Sequence, residues 1–256
     1  MTAIALLAPP VVSQIVPPYD QVETVSDLAA LVPDALPPGA VLAPAGPHAD
    51  EPWTDVAALV AQLRARYPAC PVVIRLEPPL DQDPTAHQHA LDTGAKGILT
   101  EGVPPRVALR PMLTDQSRLT EQILEWLALR SPGLRPVVVE VIREIIARSG
   151  EFSEVGPLLE TMGHAERTAR TWFLRAGVPG PGKWLAVAHA IRASLRLQAE
   201  EGASLLSLAV ECGYSDHSSL SRQSLRLFGV RPGAIRRTLG WEWLMDRWFR
   251  TADRSA

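Results

Sequence analysis

The chain has 256 residues, 46% of them hydrophobic and 21% charged, and its formal net charge is −3. This length favours two modest domains over one large one, and no apolar run approaches the roughly 20 residues that span a bilayer. We therefore expect no membrane segment and a cytoplasmic location. The two cysteines, Cys70 and Cys212, form no CxxC pair and lie near no histidine cluster, so we predict neither a metal site nor another cofactor.

The charged residues are unequally divided between the two halves of the chain. Residues 1–133 contain 8 Lys and Arg against 15 Asp and Glu, whereas residues 134–256 contain 17 against 13. A surplus of positive charge favours contact with a phosphate backbone. The second half is therefore the part expected to bind nucleic acid.

Residues 1–112 alternate short apolar runs with amphipathic segments. The runs predict five strands, at residues 3–8, 21–24, 39–43, 71–76 and 97–99. Thr54 and Asp83 are suited to cap helices between them. Strands that alternate with helices are typical of a parallel sheet covered by helices, so we predict an α/β domain with a doubly wound parallel sheet.

This order of strands resembles the receiver domains of two-component response regulators, and the segment HALDTGAKGILTEGV is the closest local match. Receiver chemistry needs a carboxylate after the third strand to accept phosphoryl, and others after the first strand to hold Mg²⁺. Here the third strand ends Ala43-Pro44-Ala45, the first ends Ala8-Pro9-Pro10, and Thr100-Glu101 stands in place of the family's lysine. The resemblance implies a pseudo-receiver without a phosphoacceptor, which serves dimerisation or the sensing of an unidentified small-molecule effector.

Residues 113–133 predict a helix that links the two halves. Leu119, Ile123, Trp126 and Leu127 share one of its faces. The sequence leaves open whether this face joins the domains, pairs with its copy in a homodimer, or packs on the first domain's sheet. The break Ser-Pro-Gly at residues 131–133 is the predicted boundary of a second domain, residues 134–256.

Residues 134–256 predict helices throughout, and two segments have the pattern of a helix-turn-helix. In SEVGPLLETMGHAERTARTWFLRAG, Gly163 separates two short helices, and in SLLSLAVECGYSDHSSLSRQSLRLFGVRP, Gly213 does the same. Glycine suits such a tight turn because the turn crosses the left-handed region of backbone space. We therefore predict an all-α second domain with two helix-turn-helix motifs.

The second segment has a Gly-Tyr pair at its turn, a Ser-Arg pair in its second helix and a closing Phe-Gly-x-x-Pro. With these it closely resembles the AraC/XylS family of regulators, over residues 134–239 and including the intervening helix KWLAVAHAIRASLRLQ. Leu220, Ala165, Ala169 and His189 stand where the family commonly has an aromatic residue, a capping serine, a core leucine and an arginine. The matching positions are Ala209, Gly213, Tyr214, Ser215, Ser218, Ser221, Arg222, Phe228, Gly229 and Pro232.

The resemblance implies a sequence-specific DNA-binding transcription regulator, not an enzyme, that binds promoter DNA through two recognition helices. Residues three and four apart project from one side of a helix, so each recognition helix has a face for the major groove. The predicted DNA contacts are Arg167, Arg170 and Thr171 in the first motif, and His217, Ser218, Ser221 and Arg222 in the second. The predicted phosphate contacts are Lys183, Arg226, Arg231 and Arg236.

Plainer roles compete with these assignments. Each arginine could instead be a solvated surface residue or a phosphate contact, and each serine could instead cap a helix.

Leu220, Leu225 and Phe228 are predicted to point into the core. In residues 240–256, a stripe of Trp241, Leu244 and Trp248 predicts a core face, with a homodimer or RNA polymerase contact as the alternative.

Two other functions remain as alternatives. A phosphorylation-controlled response regulator would need the acceptor that residues 43–45 do not supply. An enzyme in the first domain would need a catalytic constellation, but the six histidines have no metal spacing, and neither G-x-S-x-G nor G-x-x-x-x-G-K occurs.

Overall fold

The computed structural model describes residues 53–66, 71–76, 78–100, 105–200, 202–237 and 239–253, together with three short strands nearer the start of the chain. The chain divides into two compact units. The first comprises residues 1–114 with 237–243, and the second comprises residues 115–236 with 244–256. In the described ranges, no helix is both long and apolar enough to cross a membrane.

The first unit has short parallel strands and three helices. The strands pair in the order β2-β1-β3-β4-β5. Val73 and Ile74 of β4 are fully buried and lie beside Gly97 and Ile98 of β5. The elements are β1 (Thr2–Leu6), β2 (Gln21–Val25), β3 (Val41–Pro44), α1 (Trp53–Arg66), β4 (Val72–Arg75), α2 (Pro84–Asp92), β5 (Gly97–Leu99) and α3 (Pro105–Thr114).

The predicted fold class of this unit, a receiver-like α/β domain with a doubly wound parallel sheet, is wrong. From residue 53 onward, 69% of the described residues are helical, and the strands there are the two short ones, β4 and β5. A doubly wound sheet also needs helical crossovers that cover both faces, and the connections after β1 and β2 lie outside the described residues. Short apolar runs predict where strands form, but they do not determine how a sheet is covered.

Only some of the positions at which the sequence lacks the residues of a receiver lie within the described ranges. Ala43 and Pro44 belong to β3, and Thr100 follows β5. Residues 8–10, Ala45 and Glu101 lie outside the described residues. The first unit also contains a buried ion pair, in which the Lys96 ammonium lies 2.7 Å from the Glu242 carboxylate and over the Trp241 ring.

The second unit is built from helices. The predicted linking helix is α4, which belongs to this unit and packs against α5. The last residue of α11, Arg237, and the first two of α12, Glu242 and Trp243, belong to the first unit. The helices are α4 (Leu119–Arg130), α5 (Pro136–Ala147), α6 (Val155–Thr161), α7 (Glu166–Arg175), α8 (Pro181–Ala199), α9 (Leu205–Glu211), α10 (His217–Phe228), α11 (Pro232–Arg237) and α12 (Glu242–Asp253).

Helix α8 is the central element of the second unit. Its start is set by Gly180 at the N-cap and Pro181 at the first helical position, where a missing N–H has no consequence. Twelve of its 19 residues are buried, so it is apolar around most of its circumference. A helix buried in this way belongs inside a core and not on a surface.

Polar side chains of α8 hold the end of α5. Arg192 donates from Nη2 to the Ile146 carbonyl at 2.9 Å and from Nε to the Ser149 hydroxyl at 2.8 Å. Burial lowers the pKa of Arg192 from its ordinary value. His189 hydrogen-bonds to the Ser149 carbonyl. Carbonyls at the end of a helix have no partner within it, so these two side chains supply the missing donors.

The aromatic stripe near the end of the chain is part of the core, as the pattern predicts. Trp241, Leu244 and Trp248 are at most 3% exposed. Within the second unit, Trp248 packs edge-to-face on Trp184 with ring centroids 4.9 Å apart. Aromatic pairs in this geometry add to the free energy gained from burial alone.

Candidate nucleic-acid interface

Helices α6 and α7, and helices α9 and α10, form two pairs with the same turn. Gly163 and Gly213 have φ angles of 72° and 82°, in the left-handed region. After each glycine, the next N–H returns to the helix just ended: His164 donates to Leu159, and Tyr214 to Ala209, both at 2.9 Å. This is the Schellman arrangement, which closes a helix through a left-handed residue. The structure thus has a turn at both glycines that the sequence singled out.

The second helices of the two pairs begin differently. Ala165 is the N-cap of α7 and makes no side-chain hydrogen bond. Asp216 is the N-cap of α10, and its carboxylate accepts a hydrogen bond from the Ser219 N–H at 2.7 Å. That hydrogen bond lowers the pKa of Asp216 from its ordinary value. The start of α10 is therefore fixed more firmly than the start of α7.

The predicted DNA contacts of the first motif lie together on one face of α7. Arg167, Arg170 and Thr171 are all exposed. The Arg170 guanidinium pairs with the Glu166 carboxylate at 2.5 Å, and the Thr171 hydroxyl donates to the Arg167 carbonyl at 3.0 Å. These four residues and Leu174 line one shallow depression in the surface.

Leu174 also belongs to this face, although it is not among the DNA contacts predicted from the sequence. Its side chain is 77% exposed. It lies seven residues after Arg167, which is two helical turns along the same side. The helical spacing alone predicts that residue 174 shares this face, because it continues the series Arg167, Arg170, Thr171 by one more turn.

The predicted contacts of the second motif also share a face, on α10. His217, Ser218 and Arg222 are exposed, and Ser221 is half-buried. The Arg222 guanidinium donates to the Ser219 hydroxyl at 3.3 Å. The structure therefore brings these four side chains together, as their spacing predicts.

The prediction that Leu225 points into the core is wrong. Leu220 and Phe228 are buried as expected, but Leu225 is 51% exposed. The buried stripe of α10 runs through Leu220, Ser224 and Phe228 at intervals of four residues. Ser224 takes the inward position at the middle of this stripe, and Leu225, one residue later, is rotated by about 100° toward solvent.

Basic residues lie between the two recognition faces. Arg170 of α7 and Arg226 of α10 line one cavity of about 440 Å³. Lys183 of α8 and the same Arg226 line a second cavity of about 410 Å³. Three cationic side chains from three helices thus line neighbouring cavities, and the carboxylates of Glu154 and Glu166 also line the first of them.

The other two predicted phosphate contacts differ in their environment. Arg231 is exposed just before α11. Arg236 is half-buried and donates from Nη2 to the Ala203 carbonyl at 2.7 Å. This hydrogen bond gives Arg236 a role in joining α11 to the loop before α9, whether or not it also contacts a phosphate.

Within the part of the chain that the structure describes, no three His, Cys, Asp or Glu side chains are grouped to hold a metal ion. Comparisons with protein-family models, curated proteins and solved structures find no match to this chain. The assignment of a function therefore depends on the geometry of the two helix pairs and the residues they expose.

Substitution of Gly213 by alanine should destabilise the second helix pair. A side chain at φ 82° is strained, and the expected loss is about 1–2 kcal/mol in the free energy of unfolding, measured by chemical denaturation. No atom lies within 4 Å of the added Cβ, so backbone strain alone is tested. Gly233→Ala is the matched control, since Gly233 lies in α11 without a positive φ. Equal losses in both variants would contradict the role of the left-handed turn.

Substitution of Ala165 by serine should restore the missing cap of α7. A serine at this N-cap can accept a hydrogen bond from the N–H two or three residues later, so the free energy of unfolding should rise by about 1 kcal/mol. The reciprocal control is Ser204→Ala in α9, where the hydroxyl accepts from the Ser207 N–H at 3.0 Å. That variant should lose a similar amount. No gain from Ala165→Ser would show that α7 does not begin at Glu166.

Proposed function

We propose that this protein is a sequence-specific DNA-binding transcription regulator of the AraC/XylS type, and that its second unit binds promoter DNA through α7 and α10. One observation carries the proposal. Two helix pairs with the same glycine turn pack on one helix, α8, and each directs a polar, exposed helix face to solvent.

The chemistry of the two faces supports this function. Arginine donates two hydrogen bonds to guanine O6 and N7, serine and threonine bond to several bases, and histidine both donates and accepts. Arg167, Arg170 and Arg222 are exposed on these faces. A recognition helix lies in the major groove, and all three arginines are on the sides of α7 and α10 that would face the base edges there.

The length of α8 supports a single continuous binding site. With 19 residues at about 1.5 Å each, the helix is roughly 28 Å long. One turn of DNA rises about 34 Å, so two motifs packed along a helix of this length suit successive segments of the major groove. One chain would then read an asymmetric site, in which the two halves differ because the two faces differ.

The basic residues between the faces support the same arrangement. Lys183 and Arg226, two of the predicted phosphate contacts, line one cavity beside α8. When two recognition helices occupy successive grooves, the surface between them meets the intervening phosphates. Positive charge at that position supplies affinity without sequence preference.

The full-length chain should select specific duplexes from a randomised DNA library, with affinity that falls steeply as salt rises. Each neutralised phosphate contributes a slope of about −0.9 to log K against log salt concentration. Binding isotherms over a series of salt concentrations measure that slope. The function is rejected if no duplex is enriched, or if the affinity for the enriched duplex does not depend on salt.

Arg222→Ala and Arg231→Ala should have different effects on the selected duplex. The first removes a base contact, so it should weaken binding by about 1–3 kcal/mol and relax preference at one base pair. The second should weaken all duplexes alike and make the salt slope shallower by about 1. Arg143→Ala is the charge-matched control, because Arg143 is exposed on α5 and pairs with Glu140 there. A uniform loss in both test variants would reassign Arg222 to the phosphate backbone.

A further inference from the structure

The two recognition helices expose the same kind of side chain at the same place. Counted from the N-caps Ala165 and Asp216, Leu174 and Leu225 are both the ninth residue. They are 77% and 51% exposed. The match extends to the buried side, where Ala169 and Leu220 are both the fourth residue after the cap and both fully buried. The equivalence is therefore a property of how the helices pack, not of one exposed leucine.

Each leucine continues a face already described. Arg167, Arg170, Thr171 and Leu174 follow a spacing of three, one and three residues, and so do Ser218, Ser221, Arg222 and Leu225. Residues with this spacing lie along one side of a helix for two turns. In each motif, an apolar side chain thus lies at the end of the row of polar residues that are assigned to base edges.

The geometry points to Leu174 and Leu225 as readers of thymine. Thymine is the base that presents a methyl group in the major groove, and an apolar side chain gains free energy by covering it. This inference rests on the proposed function, because it requires α7 and α10 to lie in the groove. It adds that the operator carries a thymine opposite each leucine, beyond the base pairs read by the arginines.

The residues around each leucine favour DNA over a protein as the occupant. Arg170 and Arg175 flank Leu174 on α7, and all three side chains are exposed. Arg222 and Arg226 flank Leu225 on α10 in the same way. An apolar protein surface that covered either leucine would also take the neighbouring guanidinium group of Arg175 or Arg226 out of water, which is unfavourable for an unpaired charge. Phosphate oxygens and guanine edges accept hydrogen bonds from guanidinium groups. A duplex can therefore pair the arginines while a thymine methyl contacts the leucine.

The test uses the full-length chain and the tightest duplex selected from the randomised library. Each thymine in that duplex is replaced in turn by deoxyuridine, which removes the methyl group and retains the base pair. Loss of one covered methyl, worth about 0.8 kcal/mol, should weaken binding about four-fold at the thymines opposite the leucines. At those positions, Leu174→Ala or Leu225→Ala should reduce the ratio of thymine to uracil affinity from about four to about one.

The matched control is Leu206→Ala, since Leu206 is 53% exposed on α9, outside both recognition faces. This variant should keep the four-fold ratio at every position. The inference is overturned if the wild-type chain binds its duplex but no single uracil weakens it, or if both leucine variants keep the ratio. In those cases the proposed function stands, whereas failure to select any duplex removes the function and the inference together.

Discussion

The burial of α8 is the constraint on which the second unit depends. Helices α6 and α9 have seven residues each, too few to form a stable helix alone, because a helix gains from length only after an unfavourable nucleation. Both pack against α8, as do α5, α7 and α10. The two helix pairs therefore gain their stability from one shared core, and a change in the packing of α8 reaches both of them.

Polar bonds to α8 determine which face of each neighbour is turned outward. Gln223 donates from Nε2 to the Ala186 carbonyl at 2.9 Å, which links the middle of α10 to α8. A half-buried amide requires a partner, so this bond limits rotation of α10 about its own axis. With Gln223 held inward, Ser218, Arg222 and Leu225 lie on the outer side. The exposure of the recognition face is thus a consequence of the packing, and it does not depend on the presence of DNA.

Sequence periodicity predicted the second unit better than the first. Turns at Gly163 and Gly213 need a left-handed residue, and α5 has a buried apolar stripe at helical spacing, so both features can be read directly from residue order. Apolarity alone predicts that Leu225 is buried, whereas the inward position beside it is occupied by Ser224. In the first unit, strands of three to five residues are too short for their pattern to determine which layers cover them. The prediction of a doubly wound fold depends on the alternation of strands with helices, and that alternation does not determine which faces of the sheet are covered.

The two recognition helices differ in how firmly their side chains are held before any ligand arrives. Arg170 is paired with Glu166, both at the surface, and such exposed pairs are worth little, so Arg170 can exchange its carboxylate for another acceptor at small cost. The helix that carries it begins without a cap, which leaves its first turn free to adjust. By contrast, α10 begins at a capped Asp216, and Arg222 is bonded to Ser219 within the same capped turn. The first turn of α10 is therefore held more firmly than that of α7. In the proposed complex with DNA, this difference would favour strict reading of one half of an asymmetric site and tolerant reading of the other.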